Sequence, residues 1–116
     1  MTQRKFNIGI NAPHTSIWGT VQHREKLAEG VYEVDTARHG GIMVHHSVAD
    51  KYLSEKVKVA FSGGLEYGWY HFEEDCDWAV FAHENKKIIP KRFKDNPEKW
   101  NEIAEASLKM WHPEFL

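Results

Sequence analysis

The residues best suited to chemistry lie in FEEDCDWAVFAHE, residues 72–84, where four carboxylates surround the only cysteine of the chain. Histidines at positions 39, 45, 46 and 71 could act with them. Imidazole and carboxylate groups are the usual protein ligands of zinc, manganese and iron, and a carboxylate that faces a histidine can also transfer protons. These residue types therefore allow metal-assisted hydrolysis or acid–base catalysis.

The spacing of the histidines does not form a metal-binding motif. His45 and His46 are adjacent, so their side chains would point to opposite faces of a strand. The chain has neither an H-E-x-x-H segment nor a second cysteine. We therefore expect no bound metal and no cofactor. The alternative is a metal-dependent hydrolase or nuclease that uses His39 or His45 together with Glu74 or Asp75.

The acidic segment also has a structural interpretation. Glu73, Glu74 and Asp75 would occupy the first turn of a helix, whose free N–H groups attract carboxylates, and the residues after them are mostly apolar. This pattern predicts a buried helix over residues 73–84, with a strand at residues 78–82 as the alternative. Because neighbouring carboxylates disfavour a thiolate, Cys76 is expected to be a small buried residue rather than a nucleophile. A binding role for Glu73, Glu74 or Asp75 is the alternative to helix capping.

A second candidate segment is HGGI, residues 39–42. Gly40 and Gly41 predict a tight turn that joins strands at residues 31–36 and 42–46 into a hairpin. The segment lacks the further glycines and the Lys-Ser/Thr pair of a phosphate-binding loop. If His39 takes part in binding, the two glycines would let a ligand or a partner backbone approach it closely.

The remaining elements follow from periodicity and caps. Residues 17–22, IWGTVQ, have the composition of a strand, and residues 47–56 predict a helix, with residues 57–61 open to either structure. Asn96 as N-cap, Pro97 at the first helical position and apolar residues at helical spacing predict an amphipathic helix over residues 97–111. Trp100 and Trp111 are both expected to dock on the core. Residues 1–16 are predicted to be an arm with at most a short strand at residues 5–10.

Composition limits the classes of function. The 116 residues indicate a single domain, and 15 basic against 17 acidic residues exclude a generally basic surface for DNA. A local patch at Lys91, Arg92 and Lys94, within the basic connector of residues 84–95, could contact nucleic acid, but an ordinary solvated surface is the preferred interpretation. Without a long apolar run or a signal-peptide pattern, a cytoplasmic protein with no membrane partner is expected.

These elements together predict an α+β fold. A small, mainly antiparallel sheet from about residues 17–46 would be covered by helices at residues 47–56, 73–84 and 97–111. The predicted core consists of Trp18, Val34, Ile42, Val44, Leu53, Trp78, Phe81, Trp100, Ile103 and Leu108.

Four motifs follow one another along the chain: WGT at residues 18–20, HGGI at 39–42, HS at 46–47 and FEEDCDWA at 72–79. Together they resemble an uncharacterised domain family known mainly from proteins of bacteriophages, plasmids and other mobile elements. The resemblance covers about residues 17–83. It implies a role in mobile-element biology and assigns no activity to any motif residue.

The leading hypothesis is a small non-enzymatic protein that binds a protein partner, with inhibition of host defence as one form of this role. Its binding residues would be His39, Gly40, Gly41, Glu73, Glu74 and Asp75. This hypothesis is based on the resemblance to mobile-element proteins and on the absence of a complete catalytic motif in the sequence.

Overall fold

The computed structural model describes residues 10–116. The strand expected at residues 5–10 lies outside this range except for Ile10, which is in no strand. The strands are β1 (Thr15–Ser16), β2 (Gly19–Thr20), β3 (His23–Ala28), β4 (Val31–Asp35), β5 (Gly40–His45) and β6 (Trp69–Glu73). The α-helices are α1 (Ala49–Tyr52), α2 (Glu55–Ala60), α3 (Trp78–Glu84) and α4 (Pro97–Trp111), with single 3-10 turns at His46–Val48, Ser62–Gly64, Lys91–Phe93 and Pro113–Phe115.

The fold is α+β, as predicted. Its main sheet is antiparallel with the strand order β3-β4-β5-β6, and β1 and β2 form a separate two-stranded hairpin. The predicted hairpin around residues 31–46 is confirmed as β4 and β5, joined by a loop at residues 36–39. The expected strand at residues 17–22 is instead the turn and second strand of the β1–β2 hairpin.

Both faces of the main sheet are covered. One face packs on the helices through Val31, Ile42, Val44, Tyr70 and Phe72. The other face packs Val34, Met43 and Trp69 beneath the segment that contains Ala12 and Trp18. Strands buried on two faces lose the alternation of polar and apolar residues that marks a half-exposed strand.

Strand β6 extends the sheet beyond the predicted range of residues 17–46. Its residues Trp69, Tyr70, His71 and Phe72 are all buried, so no polar face marked them as a strand. The predicted start of the helix over residues 73–84 is therefore wrong. Glu73 ends β6, residues 74–77 form turns, and the helix begins at Trp78.

The predicted helix at residues 47–56 is broken into two. Helix α1 ends at Tyr52, and the next residue, Leu53, has an extended backbone. Ser54 then caps α2 by accepting a hydrogen bond from the N–H of Val57 at 3.2 Å. Residues 57–60 are helical, which resolves the open choice at residues 57–61 in favour of a helix. The chain turns at Leu53 so that both Leu53 and Val57 reach the core.

Helix α4 has the predicted bounds and buries Trp100, Ala104 and Leu108. The expectation that Trp111 docks on the core is wrong, because Trp111 is 58% exposed at the end of the helix. Ile103 is also wrong as a core residue, at 39% exposed. Trp18 and Trp78 are partly buried at the margins of the two core clusters. Within residues 10–116, no helix has the length and apolar character that a bilayer crossing requires.

The two tryptophans of α4 allow a matched test of this packing. Trp100→Ala should lower the free energy of unfolding by about 3–5 kcal/mol, because it removes a buried indole that packs on Trp78 and Phe93. Trp111→Ala should change it by no more than about 0.5 kcal/mol, because the ring is mostly in solvent. Urea denaturation measures both values, and equal losses would contradict the described docking of α4.

Candidate functional site

Three of the sequence motifs, WGT, HGGI and FEEDCDWA, meet at one end of the sheet. Gly41 is the register partner of Glu73 across β5 and β6. The N–H of Gly40 donates to Oε2 of Glu74 at 3.1 Å, and the N–H of Glu74 donates to the carbonyl of Gly40 at 2.9 Å. Trp18 lies over Gly41 on the opposite side of the sheet from the helices.

The two glycines are needed because there is no space for a side chain. A Cβ atom on Gly41 would lie 2.1 Å from the carbonyl oxygen of Phe72 and 2.8 Å from the Trp18 ring. A Cβ atom on Gly40 would lie 2.5 Å from the carbonyl oxygen of Val34. The prediction that Gly40 and Gly41 form the turn is therefore wrong, since both are strand residues that allow close approach of their neighbours.

The loop before β5 positions His39. The hydroxyl of Thr36 lies 2.7 Å from the carbonyl oxygen of His39 and accepts from the N–H groups of Arg38 and His39 at 3.2 Å. His39 Nδ1 is 3.9 Å from Oε2 of Glu73, and one ligand atom each from His39, Glu73 and Asp75 lies within 4.8 Å of the others. We call these three residues the exposed cluster, because the side chains of His39 and Glu73 are 50% and 31% exposed.

The carboxylates of residues 73–77 do not cap a helix. Glu74 bonds to the backbone of β5, while Glu73 and Asp75 join His39. Asp77 is directed elsewhere, with Oδ1 2.8 Å from Nε2 of His112 after the end of α4. The structural interpretation of Glu73, Glu74 and Asp75 as a helical first turn is therefore wrong, because the four carboxylates of this segment are directed to three different neighbours.

Cys76 is half-buried rather than buried as expected. Burial, the hydrogen bond to Asp77 and the charges of Glu73 and Asp75 together raise the pKa of its thiol to about 11. The thiol therefore stays protonated near neutral pH, which argues against a nucleophilic role for the isolated residue.

The other histidines do not join the exposed cluster. His71 is buried with Nδ1 2.7 Å from the carbonyl oxygen of Gly64, and its Nε2 accepts from the N–H of Ile17 at 3.3 Å. Burial lowers the pKa of His71, which favours the neutral ring. The ring thus connects β6 to the backbone at Ile17 and at Gly64. His45 lies at the opposite end of β5, paired with Trp69, about four residues or roughly 13 Å along the strand from Gly41. This separation removes His45 as a partner of Glu74 or Asp75 in the metal-dependent alternative.

His45 and His46 do not point to opposite faces. Their ring centroids are 4.4 Å apart, and Nδ1 of His45 accepts from the N–H of Ser47 at 3.2 Å. Burial and the neighbouring His46 lower the pKa of His45. This arrangement caps the 3-10 turn that follows β5.

A groove of about 690 Å³ opens beside the motif residues, between β3–β5 and helices α3 and α4. We call it the aromatic groove. Its lining includes Gly41, Ile42 and Ile103, the rings of Trp78, Phe93 and Trp100, and the charged side chains of Arg24, Glu25, Glu33, Asp35, Glu74 and Arg92. Four carboxylates therefore face two guanidinium groups in this groove.

The chain's own Arg92 lies in the aromatic groove. Its two terminal nitrogens donate to the two carboxylate oxygens of Glu33 at 2.6 and 2.9 Å, and its guanidinium carbon is 5.4 and 5.5 Å from the ring centroids of Phe93 and Trp100. The Glu33 carboxylate raises the pKa of Arg92 further above its usual value. The middle residue of the predicted nucleic-acid patch at Lys91, Arg92 and Lys94 is thus paired with an acid of β4, which weakens the case for phosphate contacts.

Several site residues had no signal in the sequence analysis. His112 and Asp77 are 35 residues apart, so only the packing of α4 brings them together. Glu33 and Arg92 are 59 residues apart. A run of aromatic residues after Gly68 was the available signal for β6, and with it the site could have been placed at the edge of the sheet.

Comparison with known families assigns the chain to one of them. The profile of a family described as "Domain of unknown function (DUF7007)" matches residues 11–116. The chain belongs to the DUF7007 family. The match covers nearly the whole described chain, including α4 and the residues after it. No match was found among curated proteins or among solved structures.

The close approach at Gly41 gives a test of the strand register in this DUF7007 domain. Gly41→Ala should destabilise the protein by about 1–3 kcal/mol or more, because the new methyl group would overlap the carbonyl of Phe72. Gly63→Ala is the control, since no atom lies within 4 Å of its added Cβ. It should leave stability nearly unchanged in the same thermal melts. A Gly41→Ala variant as stable as Gly63→Ala would refute the pairing of Gly41 with Glu73.

Proposed function

We propose that this protein is a non-enzymatic binding protein whose aromatic groove receives a segment of a partner protein that carries an arginine or lysine side chain. The observation that carries the proposal is the occupation of this groove by Arg92, held between the carboxylate of Glu33 and the rings of Phe93 and Trp100. Carboxylates and the faces of aromatic rings both attract cations, so a groove lined by both favours a cationic side chain.

The charge of the groove supports a cationic occupant. Its four carboxylates exceed its two guanidinium groups, and Arg24 is already bonded to the backbone carbonyls of Pro13 and Val21. Glu33 is bonded to Arg92. Asp35 has one oxygen, Oδ2, 3.6 Å from Nδ1 of His23, and Glu74 has one oxygen, Oε2, bonded to the N–H of Gly40. The other oxygen of each carboxylate is the one that an incoming cation would pair with.

One residue of the groove lining carries an unsatisfied polar group. The indole N–H of Trp100 is buried and has no acceptor among residues 10–116. A buried donor without a partner costs about 1–3 kcal/mol. A rearrangement of Trp100 on binding that brought this N–H to a carbonyl of the partner segment would remove that cost.

The wider biology rests on the resemblance to mobile-element proteins. We infer that the protein serves a bacteriophage, plasmid or similar element in the cytoplasm of a host, and that its partner belongs to the host or to the element. Inhibition of a host defence protein is the specific form of this role that we favour. Glu74 and Gly41 line the groove, so two of the motif segments would contribute to binding.

A displayed peptide library tests the groove directly. Selection on the wild-type protein should enrich peptides with an arginine or lysine at one position. Ile103→Lys places a positive charge in the groove lining and should weaken binding of a selected peptide at least about tenfold, or ~1.4 kcal/mol. Met110→Lys is the matched control, because Met110 is 72% exposed on the same helix and is absent from the groove lining.

The ligand itself provides a second control. Replacing the selected arginine by citrulline removes the positive charge and keeps the shape, so it should weaken binding to wild type by a similar factor. Peptides without a preferred cation, or equal losses in Ile103→Lys and Met110→Lys, would contradict the proposal.

A second candidate function is metal-dependent hydrolysis at the exposed cluster. The observation that favours it is the approach of ligand atoms from His39, Glu73 and Asp75 to within 4.8 Å. Two carboxylates and one imidazole suit manganese or iron, and the open surroundings leave coordination positions for water and substrate.

Manganese binding decides whether this candidate stands. If the exposed cluster is an active centre, Mn²⁺ should raise the melting temperature of chelator-treated protein, and Asp75→Asn should abolish the shift. His46→Gln, a change at an exposed histidine at the other end of β5, should leave it intact. No shift in the wild-type protein would rule out a metal-dependent activity at these three residues.

A further inference from the structure

A second group of metal-ligand side chains lies on the other side of the turn at residues 74–77. Oδ1 of Asp77 is 2.8 Å from Nε2 of His112 and 3.4 Å from Sγ of Cys76. All three ligand atoms lie within 4.8 Å of one another, and all three residues are half-buried. Unlike the exposed cluster, this group contains a thiol.

The two nitrogens of His112 both face carboxylates. Nε2 lies against Asp77, and Nδ1 is 3.4 Å from Oε2 of Glu114. A neutral imidazole donates from one nitrogen only, so it cannot satisfy both contacts. Both are satisfied either by an imidazolium or by a metal ion that binds at Nε2 while Nδ1–H donates to Glu114. The second arrangement is the carboxylate–histidine–metal chain found in zinc sites.

The ring of His112 is held in place by its surroundings. The backbone N–H of His112 donates to the carbonyl of Leu108 at 2.8 Å, which caps α4. The imidazole is in edge contact with the rings of Phe61 and Phe115, each with a centroid distance of 6.0 Å. Phe61 in turn contacts the buried ring of Phe72 at 4.8 Å, so the orientation of His112 is coupled to the core.

We propose that Cys76, Asp77 and His112 form a zinc site with three protein ligands, in which Glu114 orients the histidine. Tetrahedral zinc keeps its ligand atoms about 3.2–3.7 Å apart, so the distance between Cys76 and Asp77 already fits and Asp77 and His112 need to separate by only a few tenths of an ångström. The fourth position takes a water molecule. The site shares no residue with the aromatic groove.

The chemistry of the three ligands favours zinc over magnesium or calcium. Thiolate and imidazole are soft or borderline ligands, which magnesium and calcium bind poorly. Zn²⁺ replaces the proton on Sγ of Cys76, and that proton is released to solvent as the Zn–S bond forms. A thiolate and a carboxylate then balance the charge of the ion, which suits a half-buried position.

Cobalt substitution tests this site on the wild-type protein. Co²⁺ added to chelator-treated protein should produce the intense near-ultraviolet absorption of a thiolate–cobalt bond at one ion per chain, and Zn²⁺ should abolish this absorption by displacement. Since Cys76 is the only cysteine, the band can report no other residue. A spectrum without this band would overturn the proposal even if Co²⁺ binds elsewhere.

Variants then separate this zinc site from the exposed cluster. Cys76→Ser and His112→Gln should each weaken Zn²⁺ binding at least about tenfold in calorimetry, whereas His39→Gln should leave it within twofold. Circular dichroism establishes that each variant is folded, and the wild-type cobalt spectrum decides the matter if one is not. Zinc affinity that survives both ligand changes, or that His39→Gln removes, would show that Cys76, Asp77 and His112 are not the ligands.

Discussion

The pairing of β5 with β6 through Gly41 is the constraint on which the rest of the site depends. Because no Cβ atom fits between Gly41, the carbonyl of Phe72 and the ring of Trp18, the two strands and the β1–β2 hairpin come closer than side chains would allow. This contact sets Glu73 opposite Gly41 and places the turn at residues 74–77 at the end of the sheet. A residue with a side chain at position 41 would overlap the carbonyl of Phe72, and so it would push β6 and the acidic segment after it away from β5.

The parts of the fold that local patterns could predict are those with strong local signals. The β4–β5 hairpin has alternating residues and glycines, and α4 has Pro97 at its start and apolar residues at helical spacing. Strand β6 was missed because both of its faces are buried, so its residues alternate in direction without alternating in polarity. The acidic residues at the end of β6 and after it have the sequence pattern of a helical first turn, although they form the end of a strand and a turn.

The site was predictable only in part, for a related reason. Local sequence indicated the HGGI and EEDC segments, but their contact depends on a strand pairing that neither segment reveals by itself. His112 could not be predicted as a site residue, because its neighbours Asp77 and Cys76 are 35 and 36 residues away in the sequence. Only the packing of α4 on α3 brings the three residues together. Arg92 lay in a run of basic residues whose sequence suggested phosphate, while the fold pairs it with Glu33. Long-range ion pairs of this kind leave no periodic trace in a sequence.

The turn at residues 74–77 explains how one acidic segment can serve surfaces of different character. Glu73 and Asp75 face His39 in an exposed position, where water screens their repulsion and only hard, weakly held ions are expected. Cys76 and Asp77 face His112 in a half-buried position, where burial first, and then the hydrogen bond to Asp77 and the charges of nearby acids, raise the pKa of the thiol to about 11. A zinc ion bound there would take the place of the thiol proton and would balance the charges of the Cys76 thiolate and of Asp77. Asp77, which disfavours a free thiolate at Cys76, is therefore also the carboxylate that would share the zinc ion with it.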